Sequence, residues 1–145
     1  MRIERGDGFA LLRSLLPPPE RHALEVTTRL LVRRIDQNER AALAEGLRRF
    51  PGGVFAAWYP IKDARDLAGW YGACRGALSA PVLLSELWLY PRDSRVALNG
   101  SGLLIANPPY LIAERMQEWL PELQASLTTS ADAGSSVRML SQSAR

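Results

Sequence analysis

Apolar and polar positions alternate along this chain in two periods, and each period predicts an element. "MRIER" reads as a short strand ending at Gly6-Asp7-Gly8. Phe9, Leu12, Leu15 and Leu16 then share one helical face, and Pro17-Pro18-Pro19 stops that helix. "HALEVTTRLLV" is apolar and β-branched at its centre, which predicts a strand. "DQNERAALAEGLRRF" predicts a helix capped by Asp36 or Asn38 and closed by "PGG". "GVFAAWYP" is a buried strand expected to stop at Pro60, and "KDARDLAGWYGACRGAL" has helical spacing through Leu67, Trp70, Tyr71 and Cys74.

The second half continues the pattern. "PVLLSELWLYP" is an extended run between prolines, Asn99-Gly100 is a turn signal, and "LLIAN" is a short buried strand. "YLIAERMQEWLPELQASL" is a long amphipathic helix, followed by a low-complexity stretch, "TTSADAGSS", and a short terminal strand, "VRML". The order β-α-β-α-β-α-β-β-α predicts an α/β sheet with helices on both faces. No helix separates "PVLLSELWLYP" from "LLIAN", so those two strands are expected to form an antiparallel hairpin at the end of a mostly parallel sheet.

Composition narrows the chemistry. The chain has 145 residues, enough for one domain, and carries 17 arginines, a single lysine and a net charge of +3. That balance permits a nucleic-acid partner without requiring one. With one cysteine, Cys74, and one histidine, His22, the chain forms no internal disulfide and supplies no zinc-type ligand set, so no metal is expected. No apolar run is long enough to span a membrane, and charge within "MRIER" argues against a signal peptide. A cytoplasmic protein with no membrane partner is the expectation.

"GSGLLIANPPY" holds the most specific candidate site, Asn107-Pro108-Pro109-Tyr110. An exocyclic amine on a nucleobase is a poor nucleophile because its lone pair is delocalised into the ring. An Asn or Asp oxygen and a proline carbonyl can accept its two N–H bonds, and an aromatic ring can stack on the flipped base. The competing reading is that Pro-Pro ends a strand and starts a helix. Asp7-Gly8 places a carboxylate at a strand end, with glycine allowing close approach of a nucleotide-like ligand, although such a pair is also a common turn. Trp58 and Tyr59 can stack on a base or pack in the core. Lys62, Arg65 and the "RDSR" loop, Arg92 to Arg95, can meet phosphate or simply face solvent. No glycine-rich cofactor loop follows the first strand.

"RGDGFALLRSLLPPPER", "FPGGVFAAWYPIKD", "LWLYP" and "LNGSGLLIANPPY", in that order, resemble the C-terminal portion of RlmJ-type enzymes, bacterial methyltransferases of adenine N6 in 23S ribosomal RNA. The resemblance implies the C-terminal half of a Rossmann-like fold, S-adenosylmethionine as cofactor and 23S ribosomal RNA as partner. It implies a partial methyltransferase domain over residues 1–127, lacking the N-terminal cofactor-binding half, and a small-residue-rich tail over 128–145. In such a sheet the strands run 3-2-1-4-5-7-6, with "MRIER" as strand 3 and "HALEVTT" as strand 4. Strands 1 and 2 are then missing, and self-association through an unpaired sheet edge is expected.

The family's cofactor-contacting Asp-Gly matches Asp7-Gly8. Its catalytic Asp-Pro-Pro-Tyr is expected near Thr28, where this chain has "HALEVTTRLLVRRIDQNER" instead. No catalytic residue is therefore intact at that place, as in a truncated or frame-shifted form. The resemblance makes Asn107–Tyr110 the family's second, non-catalytic block and leaves catalysis there as the alternative. A non-catalytic remnant that binds RNA or protein is the rival reading.

Overall fold

The computed structural model describes residues 24–27, 37–62, 64–94, 98–128 and 130–140. They form β1 (Leu24–Thr27), α1 (Gln37–Arg49), β2 (Val54–Ile61), α2 (Ala64–Ala77), β3 (Val82–Trp88), β4 (Gly100–Ala106), α3 (Ile112–Leu127) and β5 (Gly134–Met139). The expected strand at residues 1–5 and helix at 9–16 lie outside the described residues.

One five-stranded sheet runs in the order β1-β2-β4-β3-β5. The expected hairpin is present, since β3 and β4 pair antiparallel from Val82↔Ala106 to Trp88↔Gly100. The expected mostly parallel sheet is not. Only β1 and β2 pair in parallel, whereas β2–β4, β3–β4 and β3–β5 are all antiparallel. β4 separates the two strands that would otherwise lie side by side. β1, β2 and β3 still point the same way, but β4 is inserted between β2 and β3 and runs against both.

Alternation along the strands sorts the core into two layers. Phe55, Ala57, Tyr59 and Ile61 of β2 share a cluster with Leu84 of β3, Leu104 of β4, Leu43 and Leu47 of α1, and Leu67, Tyr71 and Cys74 of α2. Ala56, Leu83 and Ile105 face the other way and pack against Met116 of α3. Helices therefore cover both faces, α1 and α2 on one and α3 on the other.

Two boundaries differ from the sequence expectation. β2 continues through Pro60 to Ile61. The Asn99 N–H donates to Ile61 O at 2.8 Å, so Ile61 and Tyr59 turn their backbone groups to the β4 side. Pro60 turns its nitrogen the other way, where the register with β1 has already ended at Ala57. Among the described residues the absent N–H breaks no ladder bond there. Asn99-Gly100 is not a hairpin turn but the start of β4. The Asn99 side chain is fully buried and closes the preceding loop. Its Oδ1 accepts from Tyr90 N at 2.8 Å and Leu89 N at 3.3 Å, and its Nδ2 donates to Pro91 O at 2.8 Å and Tyr90 O at 3.1 Å.

Candidate functional site

The sheet has two rims with different chemistry. β1, β2 and β3 end at one, here the carboxyl rim, and begin at the other, the amino rim. In α/β sheets ligands gather beyond the carboxyl ends of the parallel strands. Thr27 ends β1 at the carboxyl rim, and Lys62 follows β2 there. Asp7, Gly8, His22, Thr28 and Arg95 lie outside the described residues.

Toward the carboxyl rim, a row of paired residues crosses four strands: Tyr59 of β2, Gly102 of β4, Glu86 of β3 and Ser136 of β5. Glu86 is 1% exposed and has four side-chain donors. Tyr59 Oη donates to its Oε1 at 2.9 Å, and Tyr71 Oη of α2 donates to the same oxygen. Arg92 Nη2 donates to Oε2 at 3.0 Å, and Ser136 Oγ reaches Oε2 at 3.4 Å. Gly102 makes the row possible. A Cβ there would stand 2.1 Å from Tyr59 Cζ, so only the absence of a side chain lets the ring lie across β4 toward Glu86.

Burial pushes the Glu86 carboxyl up. The hydrogen bonds from Tyr71 and Tyr59 and the Arg92 charge together outweigh that and hold it below the ordinary 4.5. Burial, reinforced by the Glu86 charge, pushes both phenols well above their usual range, so both remain donors. Arg92 completes the hub by lying over the Trp88 ring, 4.5 Å from its centroid. Arg138 covers the Tyr71 ring at 4.9 Å. The hub is a closed, charge-balanced unit that fixes the loop after β3.

Sequence reasoning gave Glu86 no role, placed Tyr71 only on a helical face and read Asn99 only as part of a turn. One signal was available: Glu86 is the lone charge in an apolar run, and a buried charge requires partners. Of the residues that were singled out, Tyr59 belongs to the core, as does the fully buried Cys74, and Trp58 is half-buried. Arg92 is tied to Glu86, and Arg65 is exposed.

Asn107 to Tyr110 lie elsewhere. Because β4 runs against β2 and β3, its carboxyl end meets their beginnings, with Ala106 paired to both Phe55 and Val82. The motif therefore stands on the amino rim. β4 is seven residues long, so the rims are ~20 Å apart at ~3.3 Å per residue. A strand's carboxyl end in an α/β sheet ordinarily points to the ligand-binding rim, but the direction of β4 puts this one on the opposite rim. Asn107 has a left-handed backbone, φ 53°, and its Nδ2 donates to Pro51 O at 2.6 Å and Gly53 O at 2.9 Å. It ties the end of β4 to the turn between α1 and β2. Leu111, at φ 60°, is also left-handed, which costs a branched side chain roughly 1–2 kcal/mol. Tyr110 projects into solvent, 91% exposed.

Among the described residues no group of His, Cys, Asp or Glu is placed to hold a metal ion, and no helix is long and apolar enough to cross a membrane.

An α/β sheet layered by helices on both faces defines the fold class. Comparison with known proteins defines the family. The family model described as "Ribosomal RNA large subunit methyltransferase D, RlmJ" matches residues 1–140, and the chain belongs to that family. It is 30% identical over 127 residues to ribosomal RNA large subunit methyltransferase J of Escherichia coli K12, covering 87% of this chain and 45% of that protein. It is 27% identical over 126 residues to the protein of the same name from Haemophilus influenzae, covering 86% of this chain and 45% of that one. The chain thus spans just under half the length of these curated relatives. Among solved structures it resembles protein LPL1258 from Legionella pneumophila, with a TM-score of 0.74 and 26% identity over 95% of this chain and 50% of that one.

Proposed function

We propose that the chain is the C-terminal part of a Rossmann-like, S-adenosylmethionine-dependent methyltransferase of adenine N6 in 23S ribosomal RNA, and that alone it transfers no methyl group. The supporting observation is the strand order. β1-β2-β4-β3, with β4 antiparallel between two strands of common direction, follows the 4-5-7-6 half of that plan. Family membership supports ribosomal RNA as the substrate. Work in the cytoplasm, where ribosomal RNA is made, agrees with that substrate.

The described residues do not fit the cofactor. A nucleoside sugar needs a carboxylate that is open to its hydroxyls, and the buried carboxylate below the carboxyl rim, Glu86, is already bonded to Tyr59, Tyr71, Arg92 and Ser136. By the family motif, Asp7 and Gly8 would contact the cofactor in an intact relative. The tetrapeptide that would hold the adenine is replaced around Thr28, and this favours a chain that binds RNA without methylating it. Methyl transfer depends on holding the amine against a bound donor, and the residues that would hold the amine are replaced here.

Labelled S-adenosylmethionine, unmodified 23S ribosomal RNA and the purified chain provide the test. Label in RNA at the level of a no-protein control is expected, together with no heat of cofactor binding by calorimetry. Label well above the control would overturn the inactive reading. Label at a site other than adenine N6 would overturn the substrate assignment.

A further inference from the structure

Tyr110 is the most exposed large hydrophobic side chain among those described. A single exposed aromatic is ordinary. The mount of this one is not. Pro108 and Pro109 fix the backbone before it. Asn107 N donates to Pro81 O at 2.9 Å, and the Asn107 side chain holds Pro51 and Gly53. Ile112 N donates to Pro109 O at 3.2 Å, and Arg115 N donates to Leu111 O at 3.1 Å. The left-handed Leu111 directly after Tyr110 is a strained conformation kept at a solvent-facing site, where packing gains little from it. The backbone that carries the ring is therefore fixed, and binding would order only the side chain's own rotamers.

The same rim is basic. α1 and α2 end where β2 and β3 begin, and α3 begins where β4 ends. The last turn of α1 carries Arg48 and Arg49, the last turn of α2 carries Arg75, and Arg115 follows the first turn of α3. Glu45, bonded to Arg48 and Arg49, Glu114 and Glu118 oppose them, so four arginines less three glutamates leave +1. Arginines in last turns also suit the helix dipole, whereas Arg115 stands near the positive end of α3, where the dipole disfavours a cation.

We propose that the amino rim is a second RNA-contact surface, on which Tyr110 stacks an unpaired base while Arg115, five residues on in the first turns of α3, meets a flanking phosphate. The proposal rests on the ribosomal RNA reading and adds to it a contact ~20 Å from the carboxyl rim, the height of the sheet at ~3.3 Å per residue. An exposed aromatic ring followed by a cationic side chain on the same loop-to-helix segment suits single-stranded nucleic acid with little sequence preference.

Fluorescence anisotropy of the full chain with a short labelled single-stranded oligoadenylate, alongside a 23S ribosomal RNA transcript, tests the proposal. Tyr110→Ala should weaken oligoadenylate binding about 5-fold to 100-fold, the range for loss of one stacked base. Tyr110→Phe should bind as the unaltered chain does. Arg115→Glu should weaken binding and flatten its salt dependence. The melting temperature of Tyr110→Ala should not move, because the ring packs against little. If Tyr110→Ala binds like the unaltered chain, the rim proposal is overturned and the ribosomal RNA reading stands; a tyrosine kept for a protein partner would give that result. A chain that binds the transcript but not the oligoadenylate also overturns the rim alone. A chain that binds neither RNA overturns both.

Discussion

Glu86 shows how one residue can organise a region. Its carboxylate is surrounded by two phenols, a guanidinium and a hydroxyl, from residues 27, 15, 6 and 50 positions away in the chain. Removing one member of a buried charge pair usually costs more than the pair contributes, because the remaining partners are stranded. Glu86→Ala should therefore destabilise the chain by about 3 kcal/mol, and Glu86→Gln, which keeps an acceptor for the phenols, by less. Urea denaturation of the two variants checks the order. A pH series checks the charge. A carboxyl held below its ordinary 4.5 contributes stability that is present above that value and lost as pH falls through its folded one. The stability gap between the unaltered chain and Glu86→Gln should shrink from about pH 6 to about pH 3. A gap that widens in acid would show that the carboxyl is neutral in the fold.

Gly102 carries the same argument to the element scale, because a glycine weakens a strand interior unless a bend or a close approach requires it. Its lack of a side chain is what lets the Tyr59 ring cross β4. Gly102→Ala should cost about 1–3 kcal/mol, the usual penalty of overpacking. In a Tyr59→Ala background most of that cost should vanish, and equilibrium unfolding of the double mutant measures the coupling. An equal cost in both backgrounds would mean that Gly102 serves backbone geometry alone. The described helices were legible from apolar spacing because a helix depends on neighbours three and four positions away. Strand order was not legible from spacing, because pairing joins distant segments. The missing helix after "PVLLSELWLYP" predicted that "LLIAN" runs against β3, and the family's 3-2-1-4-5-7-6 order implied a place between β2 and β3, but the apolar run itself carried neither. The rim on which Asn107–Tyr110 stands follows from that direction alone. Asn99-Gly100 misled for a related reason: the pair has the composition of a turn, yet the Asn99 amide bonds a loop eight to ten residues earlier.

At the scale of the whole molecule, the edges of the sheet set the behaviour. Among the described residues no strand pairs with the outer side of β1 or of β5. An unpaired edge is a template for another chain. Trp119, Leu123 and Leu127 also leave an apolar stripe of α3 exposed. The purified chain is expected to associate with rising concentration and to melt broadly, as read by light scattering and calorimetry. A monodisperse monomer with a sharp melt above about 60 °C would show that the edges are already satisfied. The Tyr59–Gly102–Glu86–Ser136 row also bears on how the strands align in the first place. Side chains alternate with period two, so sliding β3 by a single residue would turn the Glu86 carboxylate to the α3 face, among Met116 and Val137. A charge left there without its donors costs several kcal/mol. Shifted pairings of this sheet are thus penalised at one position while the correct one is rewarded four times over, and the hub serves as a proofreading device for the alignment of β3 with both of its neighbours.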